Sequence, residues 1–270
     1  MSPNCVLACE TMPGLVLGVE ICEDLWAAQP PSGTLARSGV TLILNLSASD
    51  EVAGKAAYRR DLVRGQSGRL VCGYVYADAG AGESSTDLVF AGHNMVAENG
   101  TLLAETRFDT GLTISEIDVD RLVYERRRMN TFTPPDTTPM ERAHALGVSR
   151  ISFSLEASDT ELTRSVSPSP FVPQGERDRA ERCDEILRVA ALGLKQLEHT
   201  RAACAVIGLS GGLDSTLAIL ITAMAFDLLG RDHREILAVT MPCFGTTART
   251  RSNAEILAEE LGTSFREVNI

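Results

Sequence analysis

Apolar and polar residues alternate along the first half of the chain in a pattern that predicts strands separated by a helix. Short apolar runs typical of strands occupy 15–21, 41–49 and 72–90. Residues 50–70 repeat apolar positions at near-helical spacing, with basic residues between them. The Glu98-Asn99-Gly100 sequence joins two apolar segments and predicts a hairpin, because asparagine and glycine tolerate the left-handed backbone of such turns.

A second pattern begins after a stretch rich in proline and serine at 165–173. Residues 176–199 then place apolar side chains on one helical face. Strand-like and helical runs alternate beyond them, with strands at 205–207, 235–241 and 264–270 and helices at 217–229 and 250–261. This alternation predicts a parallel sheet of the doubly wound kind, in which ligands bind at the carboxyl ends of the strands.

The change of composition between the two patterns predicts domains at 1–150 and 176–270, joined by a linker at 151–175. Of the 270 residues, 44% are hydrophobic and 23% charged, which is typical of a soluble globular protein. A formal net charge of −11 disfavours binding to nucleic acid or to an anionic membrane. The longest apolar run, within 216–226, is too short to span a bilayer.

The chain contains seven cysteines, an odd number, and none of them form a CxxC pair. In a chain of this length, such spacing indicates reduced thiols in a cytoplasmic protein rather than a disulfide framework or a zinc site. The four scattered histidines add no metal cluster.

The stretch 205–216, AVIGLSGGLDST, combines a strand, a glycine-rich loop and the start of a helix. Backbone N–H groups at a helix N-terminus lack intrahelical partners and favour an anion. Gly211 and Gly212 remove side-chain bulk from the approach, and Ser210 and Ser215 add hydroxyl donors. Asp214 would repel a phosphate unless a cation lay between them, so the arrangement indicates a polyphosphate bound with Mg²⁺.

This loop resembles the SGGxDS pyrophosphate loop of the N-type ATP pyrophosphatases, which split ATP into AMP and pyrophosphate. The alternative is an ordinary glycine-rich turn between a strand and a helix, which the combination of motif and flanking elements disfavours. The resemblance implies that ATP binds at Gly208, Leu209, Ser210, Gly211, Gly212, Leu213, Asp214 and Ser215. It also leaves Asp214 as the candidate ligand of Mg²⁺.

Cys22 stands where the first apolar run ends, a position at which a tight turn can expose a nucleophile. Glu23 and Asp24 follow it and would raise the pKa of its thiol unless other groups offset them. A lone cysteine is more often a small buried apolar residue. The residues alone therefore leave both interpretations of Cys22 open.

The segments VEICEDLW and NLSAS resemble the nitrilase-type glutaminase domain of glutamine-dependent NAD⁺ synthetases. The resemblance implies that Cys22 is the nucleophile and that Ser49 and Lys55 bind the substrate glutamine. Without it, Ser49 and Lys55 would be an ordinary loop serine and a solvated lysine. The implied fold is α/β: a partial nitrilase-like α–β sandwich, then a partial doubly wound parallel sheet similar to the adenine nucleotide alpha hydrolases.

Two features depart from that family. MPCFGTTART at 241–250 resembles the family's MPGFGTS segment, but Cys243 stands where glycine is usual. The family's general base and oxyanion lysine precede the nucleophile, whereas only 21 residues precede Cys22 and the first lysine is Lys55. We therefore expect the chain to correspond to the middle of a longer protein and to lack full activity alone.

The resemblance implies glutamine-dependent NAD⁺ synthesis, with ATP, glutamine and deamido-NAD⁺ as substrates and no nucleic-acid or membrane partner. Glutamine hydrolysis would supply ammonia, ATP would adenylate deamido-NAD⁺, and NAD⁺, AMP and pyrophosphate would result. The intact enzyme would be a homo-oligomer. The alternatives are a carbon–nitrogen hydrolase (amidase), which the 210–215 loop argues against, and a non-catalytic nucleotide-binding fragment. Assays of glutamine hydrolysis and ATP–pyrophosphate exchange separate the three.

Overall fold

The structure, a computed structural model, divides the chain into two compact units, 1–166 and 167–270. It describes residues 4–84, 87–109, 111–132, 138–156, 158–159, 161–242 and 248–269. The division falls in the same stretch of the chain as the predicted linker. Among the described residues, no helix is both long and apolar enough to cross a membrane.

The first unit is built on a mixed seven-stranded sheet, in the order β6-β5-β4-β3-β2-β1-β7. Its strands are β1 (Cys5–Cys9), β2 (Val16–Ile21), β3 (Leu42–Ser47), β4 (Gly73–Asp78), β5 (Asn94–Glu98), β6 (Thr101–Thr106) and β7 (Ser149–Phe153). Its helices are α1 (Pro31–Arg37), α2 (Lys55–Leu70), α3 (Val119–Arg128) and α4 (Pro139–Ala145).

Three neighbouring strands of this sheet, β2, β3 and β4, run parallel. Ile21 lies opposite Leu46, and Ser47 lies opposite Asp78, so the three strands end at the same edge. Because side chains alternate across a strand, Ile43 and Asn45 point into the buried side while Leu46 is exposed on the other. The residues that follow these strands are therefore neighbours at one edge.

The local elements of the first unit follow from particular residues. Asn99 and Gly100 take positive φ angles of 45° and 83° between β5 and β6, which confirms the predicted hairpin. The helix predicted over 50–70 begins only at Lys55, because Gly54 before it has a φ of +89°, outside the helical region.

The second unit has a three-stranded parallel sheet in the order β10-β9-β8. Its strands are β8 (Ala205–Gly208), β9 (Ile236–Thr240) and β10 (Ser264–Glu267). Its helices are α5 (Glu176–Leu194), α6 (Leu197–Thr200), α7 (Leu213–Leu229) and α8 (Ala248–Glu260). The predicted α/β class and parallel sheet are confirmed.

One face of this small sheet holds the core of the second unit. Ile236 and Ala238 of β9 are fully buried in one cluster with Ile219 and Phe226 of α7 and Ala258 of α8. Since these β9 residues are two positions apart, both helices cover the same face. Helix α7 begins four residues before the predicted apolar run, because its first turn contains polar residues that a hydrophobic pattern does not register.

Candidate functional site

Cys22 occupies a tight turn directly after β2. It begins a short 3₁₀ turn over Cys22–Trp26 and has a φ of +49°, which is unusual for a residue other than glycine. Such a backbone costs about 1–3 kcal/mol and persists only where the surroundings hold it, often at functional sites. The strand-end position predicted for Cys22 is thus a strained, half-buried turn.

Two side chains hold the backbone of this turn. The fully buried Asn45 accepts a hydrogen bond from the Cys22 N–H at 3.0 Å through Oδ1 and donates from Nδ2 to the Cys22 carbonyl at 3.3 Å. Asp24 turns back to accept from the Ile21 N–H at 2.8 Å. The backbone on both sides of the thiol is therefore fixed.

The two carboxylates that precede Cys22 in sequence lie elsewhere. Glu20 is 1% exposed and accepts from the Ser32 N–H and the Tyr74 hydroxyl. Glu10 follows β1, which is antiparallel to β2, so it lies at the opposite edge of the sheet. Neither is placed to take the thiol proton, and no hydrogen bond to the Cys22 sulfur occurs within the described ranges.

Ser49 and Lys55 lie beside the same edge. Ser49 is 6% exposed, and its N–H donates to Asp78 Oδ1 at 2.8 Å. Arg59 donates to Ser49 Oγ at 3.1 Å, and the Ser49 side chain also hydrogen-bonds to Tyr76. Lys55 Nζ donates to the carbonyl and the carboxylate of Asp50, at 2.8 and 2.6 Å. The structure thus places Ser49 in the loop after β3 and Lys55 at the start of α2, which follows that loop.

Arg59, which the sequence motifs do not predict to be a site residue, organises this loop. Its side chain is fully buried, and Nη1 donates to Glu51 at 3.0 Å and to His93 Nδ1 at 2.8 Å. Because arginine only donates, His93 Nδ1 accepts, so its Nε2 carries the proton donated to Glu105 at 2.7 Å. Its burial could have been predicted from helical spacing, since Arg59 shares a face of α2 with Ala56 and Val63.

Asp78, at the end of β4, is a further buried group at this edge. Burial raises the pKa of its carboxyl above the ordinary value, while the Ser49 N–H opposes that shift. Its Oδ2 atom is buried without a hydrogen-bond partner among the described residues. The edge therefore combines a thiol turn, a serine loop held by buried charges and a partly satisfied carboxylate.

In the second unit, the glycine-rich loop follows β8. Leu209 is 1% exposed and anchors the loop in the core, whereas Leu213 is 89% exposed. Gly211 has a φ of +78°, the left-handed region that favours glycine. Gly212 is the N-cap of α7 with φ −91° and ψ 169°, an extended backbone that other residues adopt. Only the first glycine of the pair is therefore conformationally required.

Two serines tie the loop together through hydrogen bonds that are all local. Ser215 Oγ lies 3.1 Å from Ser210 Oγ, accepts from the Ser210 N–H at 3.3 Å and donates to the Gly212 carbonyl at 3.0 Å. Ser210 Oγ accepts from the Gly212 N–H at 3.4 Å. The serine hydroxyls thus fix the loop that leads into the α7 N-terminus.

The surroundings of the loop suit a phosphate ligand. A cavity of about 150 Å³ lies at the carboxyl ends of β8 and β9, lined by residues 208–210 and 239–241. Asp214 is exposed in the first turn of α7. Where the structure describes the chain, no group of three or more metal-ligating side chains occurs. Cys243 lies outside the described residues.

Comparison with known proteins bears on both units. Residues 187–270 match the NAD synthase family model. The chain is 42% identical to the glutamine-dependent NAD(+) synthetase of Mycobacterium tuberculosis over 274 residues, which cover 98% of this chain and 40% of that protein. This chain is homologous to the glutamine-dependent NAD(+) synthetases. It spans about 40% of the length of the curated relatives it matches.

Two further matches extend the comparison to these synthetases. The one from Mycobacterium leprae is 43% identical over 277 residues, covering 99% of this chain and 40% of the relative. The solved glutamine-dependent NAD+ synthetase from Acinetobacter baumannii in complex with ADP is 22% identical, with a TM-score of 0.37, and covers 96% of this chain and 39% of that one. The homology confirms the resemblance inferred from the motifs, and it includes both units.

Proposed function

We propose that the chain carries parts of both active sites of a glutamine-dependent NAD⁺ synthetase. The observation that carries this proposal is the presence, in one chain, of a strained cysteine turn and an SGGxDS loop at a helix N-terminus. An amidase alone would use Cys22 but would leave the second unit and its loop without a role. The homology over 98% of the chain supports the combined function.

In the first half-reaction, the Cys22 thiolate attacks the side-chain amide carbon of glutamine. The carbon–nitrogen bond breaks, the leaving nitrogen takes a proton and departs as ammonia, and a glutamyl thioester remains on sulfur. Water then hydrolyses the thioester to glutamate. The Ser49 hydroxyl donates to the glutamine carboxylate, and the Lys55 ammonium attracts the same charge.

In the second half-reaction, the loop 210–215 and the free N–H groups of the α7 first turn bind the phosphates of ATP. The nicotinate carboxylate of deamido-NAD⁺ attacks the α-phosphorus, and pyrophosphate leaves. Ammonia then attacks the acyl carbon of the adenylate, and AMP leaves to give NAD⁺. Asp214 would hold Mg²⁺, which neutralises phosphate charge. We include deamido-NAD⁺ as the substrate and an oligomeric assembly in this proposal because the family resemblance implies them.

Covalent labelling tests the glutaminase assignment. A diazoketone analogue of glutamine should alkylate Cys22 with loss of nitrogen, and glutamine should protect against it. Lys55→Ala should raise the half-saturating concentration of the analogue without lowering the maximal rate, because it removes a binding group only. Labelling that glutamine does not slow, or that persists elsewhere in Cys22→Ala, would contradict the assignment.

A further inference from the structure

A continuous chain of buried hydrogen bonds runs from the core to the backbone of Cys22. Glu20 accepts from the Ser32 N–H at 2.9 Å on one oxygen and from the Tyr74 hydroxyl on the other. Asn45 Nδ2 donates to the Tyr74 oxygen at 3.1 Å, and Asn45 also binds both backbone groups of Cys22. Glu20, Tyr74 and Asn45 are each 1% exposed or less, so water does not compete for these bonds.

The chemistry of these groups decides which atom donates and which accepts in each of these hydrogen bonds. A carboxylate only accepts, so the Tyr74 proton points to Glu20 and leaves the phenol oxygen as an acceptor towards Asn45. The Asn45 amide must then present its NH₂ group to Tyr74. Its oxygen therefore faces the Cys22 N–H, which is the orientation that the left-handed turn requires.

We propose that Glu20 and Tyr74 are positioning residues that hold Cys22 in its left-handed conformation by fixing the orientation of the Asn45 amide. This inference rests on the proposed function, since it gives a reason for the strain at a nucleophile. Glu20 touches no reacting atom and acts only through Tyr74 and Asn45.

The alternation of β2 predicts what happens when this restraint is lost. Glu20 points to the buried side of the sheet, and Ile21 is 54% exposed on the other. If the backbone of residue 22 relaxed to the extended conformation, its side chain would follow Glu20 to the buried side. The left-handed turn is therefore what presents the thiol at the edge of the sheet.

Alkylation by iodoacetamide, measured for each cysteine by peptide mass spectrometry, tests this account in the full chain. Tyr74→Phe removes only the linking hydroxyl, and it should slow alkylation of Cys22 about tenfold or more, because the strained backbone loses its support. Glu20→Gln should also slow alkylation of Cys22. A glutamine NH₂ group that faces Tyr74 would donate to the phenol oxygen and so reverse the direction of the hydrogen bonds that lead to Asn45. Exposed Cys183 should keep its rate in the same samples.

Tyr76→Phe is the matched control. Tyr76 is equally buried on the same strand, but its hydroxyl binds Ser47 at 2.6 Å and not the chain to Cys22. It should leave the Cys22 rate within about twofold of the parent, since rotamer and packing are preserved. An equal slowing in Tyr76→Phe and Tyr74→Phe would overturn the proposal.

A general loss of structure would produce the opposite signature, because it would accelerate alkylation of the buried thiols Cys9 and Cys72. The proposal requires Tyr74→Phe to slow Cys22 while those two stay protected. It also requires faster hydrogen exchange at the Cys22 amide, whose bond to Asn45 is loosened. An unchanged Cys22 rate in Tyr74→Phe overturns the positioning role, whereas failure of glutamine to protect Cys22 overturns the proposed function.

Discussion

The two candidate sites follow the ends of parallel strands, but they are held in opposite ways. The Cys22 turn depends on side chains distant in sequence, since Asn45 is 23 residues away and the Tyr74–Glu20 contact spans 54. The loop at 210–215 is held by Ser210 and Ser215 through bonds that span five residues at most. One site is fixed by tertiary structure and the other by its own sequence.

This difference has a consequence for mutation and for ligand binding. A change in the core of the first unit should disturb Cys22 or Ser49 without touching either residue. In the second unit, changes inside the loop should matter most, because its donors are backbone N–H groups and two local hydroxyls and only its start is anchored in the core, by Leu209. Variants that reverse these expectations would show that the distinction is wrong.

The largest effect is expected at Arg59, the buried centre of the first site. Arg59→Met removes a donor to Ser49 and leaves Glu51, whose side chain is 7% exposed, paired with the more exposed Arg107. Removing one partner of a buried ion pair costs about 3–5 kcal/mol of the free energy of unfolding. Trp26, the only tryptophan in the chain, lies in the first unit, so its fluorescence during denaturation reports that unit alone.

Arg128→Met provides the control for Arg59→Met within the same unit. Arg128 Nη1 pairs with Glu125 at 3.6 Å along α3, and its side chain is 63% exposed. Exposed pairs contribute little, so the unfolding transition of Trp26 should not move. A similar loss in both variants would mean that burial does not distinguish the two arginines.

An intermediate effect is expected at Gly211, the conformational requirement of the second site. Gly211→Ala places a Cβ on a left-handed backbone and should destabilise the loop by about 1–2 kcal/mol. Gly212→Ala is the control, because its backbone is extended and a Cβ there would meet only Ser210 Oγ at 3.4 Å. Hydrogen exchange of the Gly212 and Thr216 amides, which donate to Ser210 Oγ and to the Gly212 carbonyl, measures both effects. Equal changes in hydrogen exchange in the two variants would show that Gly211 and Gly212 tolerate a Cβ equally well.

The contrast also explains what could be predicted from the sequence. The strand, loop and helix at 205–229 were predictable because glycine chemistry and the apolar pattern act locally. The support of Cys22 was not, because Asn45 and Tyr74 are two ordinary strand residues until β2, β3 and β4 are paired in register. Arg59 escaped notice because a charged residue on a buried helical face is rare unless it is paired.

A smaller effect is expected from acid, and it should fall on the first unit. The Arg60 guanidinium, helped by His93, holds the pKa of Glu105 below its ordinary value. A lowered pKa in the folded state gives stability that is present above the unfolded value and lost as the pH falls through the folded one. The midpoint of Trp26 unfolding should therefore decrease in acid, less steeply in Glu105→Gln. An identical slope in that variant would contradict the assignment.

The smallest effect on stability is expected at His233 in the second unit. Its dependence on pH is opposite to that of Glu105. Hydrogen bonds to the Leu261 carbonyl and the Asp227 carboxylate, both 2.8 Å long, raise its pKa above the ordinary value. The stability gained is full below the unfolded pKa and lost as the pH rises through the folded one. Protection of the α7 amides, corrected for intrinsic exchange, should fall as the pH rises, and His233→Gln should flatten that dependence. If protection of the α7 amides in the parent chain did not fall as the pH rises, the predicted direction of the His233 contribution would be wrong.

The most direct test of the central claim, that the 210–215 loop binds the phosphates of ATP, is calorimetry of ATP and pyrophosphate binding with and without Mg²⁺. The parent chain should bind, Gly212→Ala should bind nearly as well, and Gly211→Val should not bind. Asp214→Ala should lose mainly the part of the affinity that depends on Mg²⁺. Equal binding by the folded Gly211→Val variant and the parent would place the phosphate site elsewhere and contradict the account.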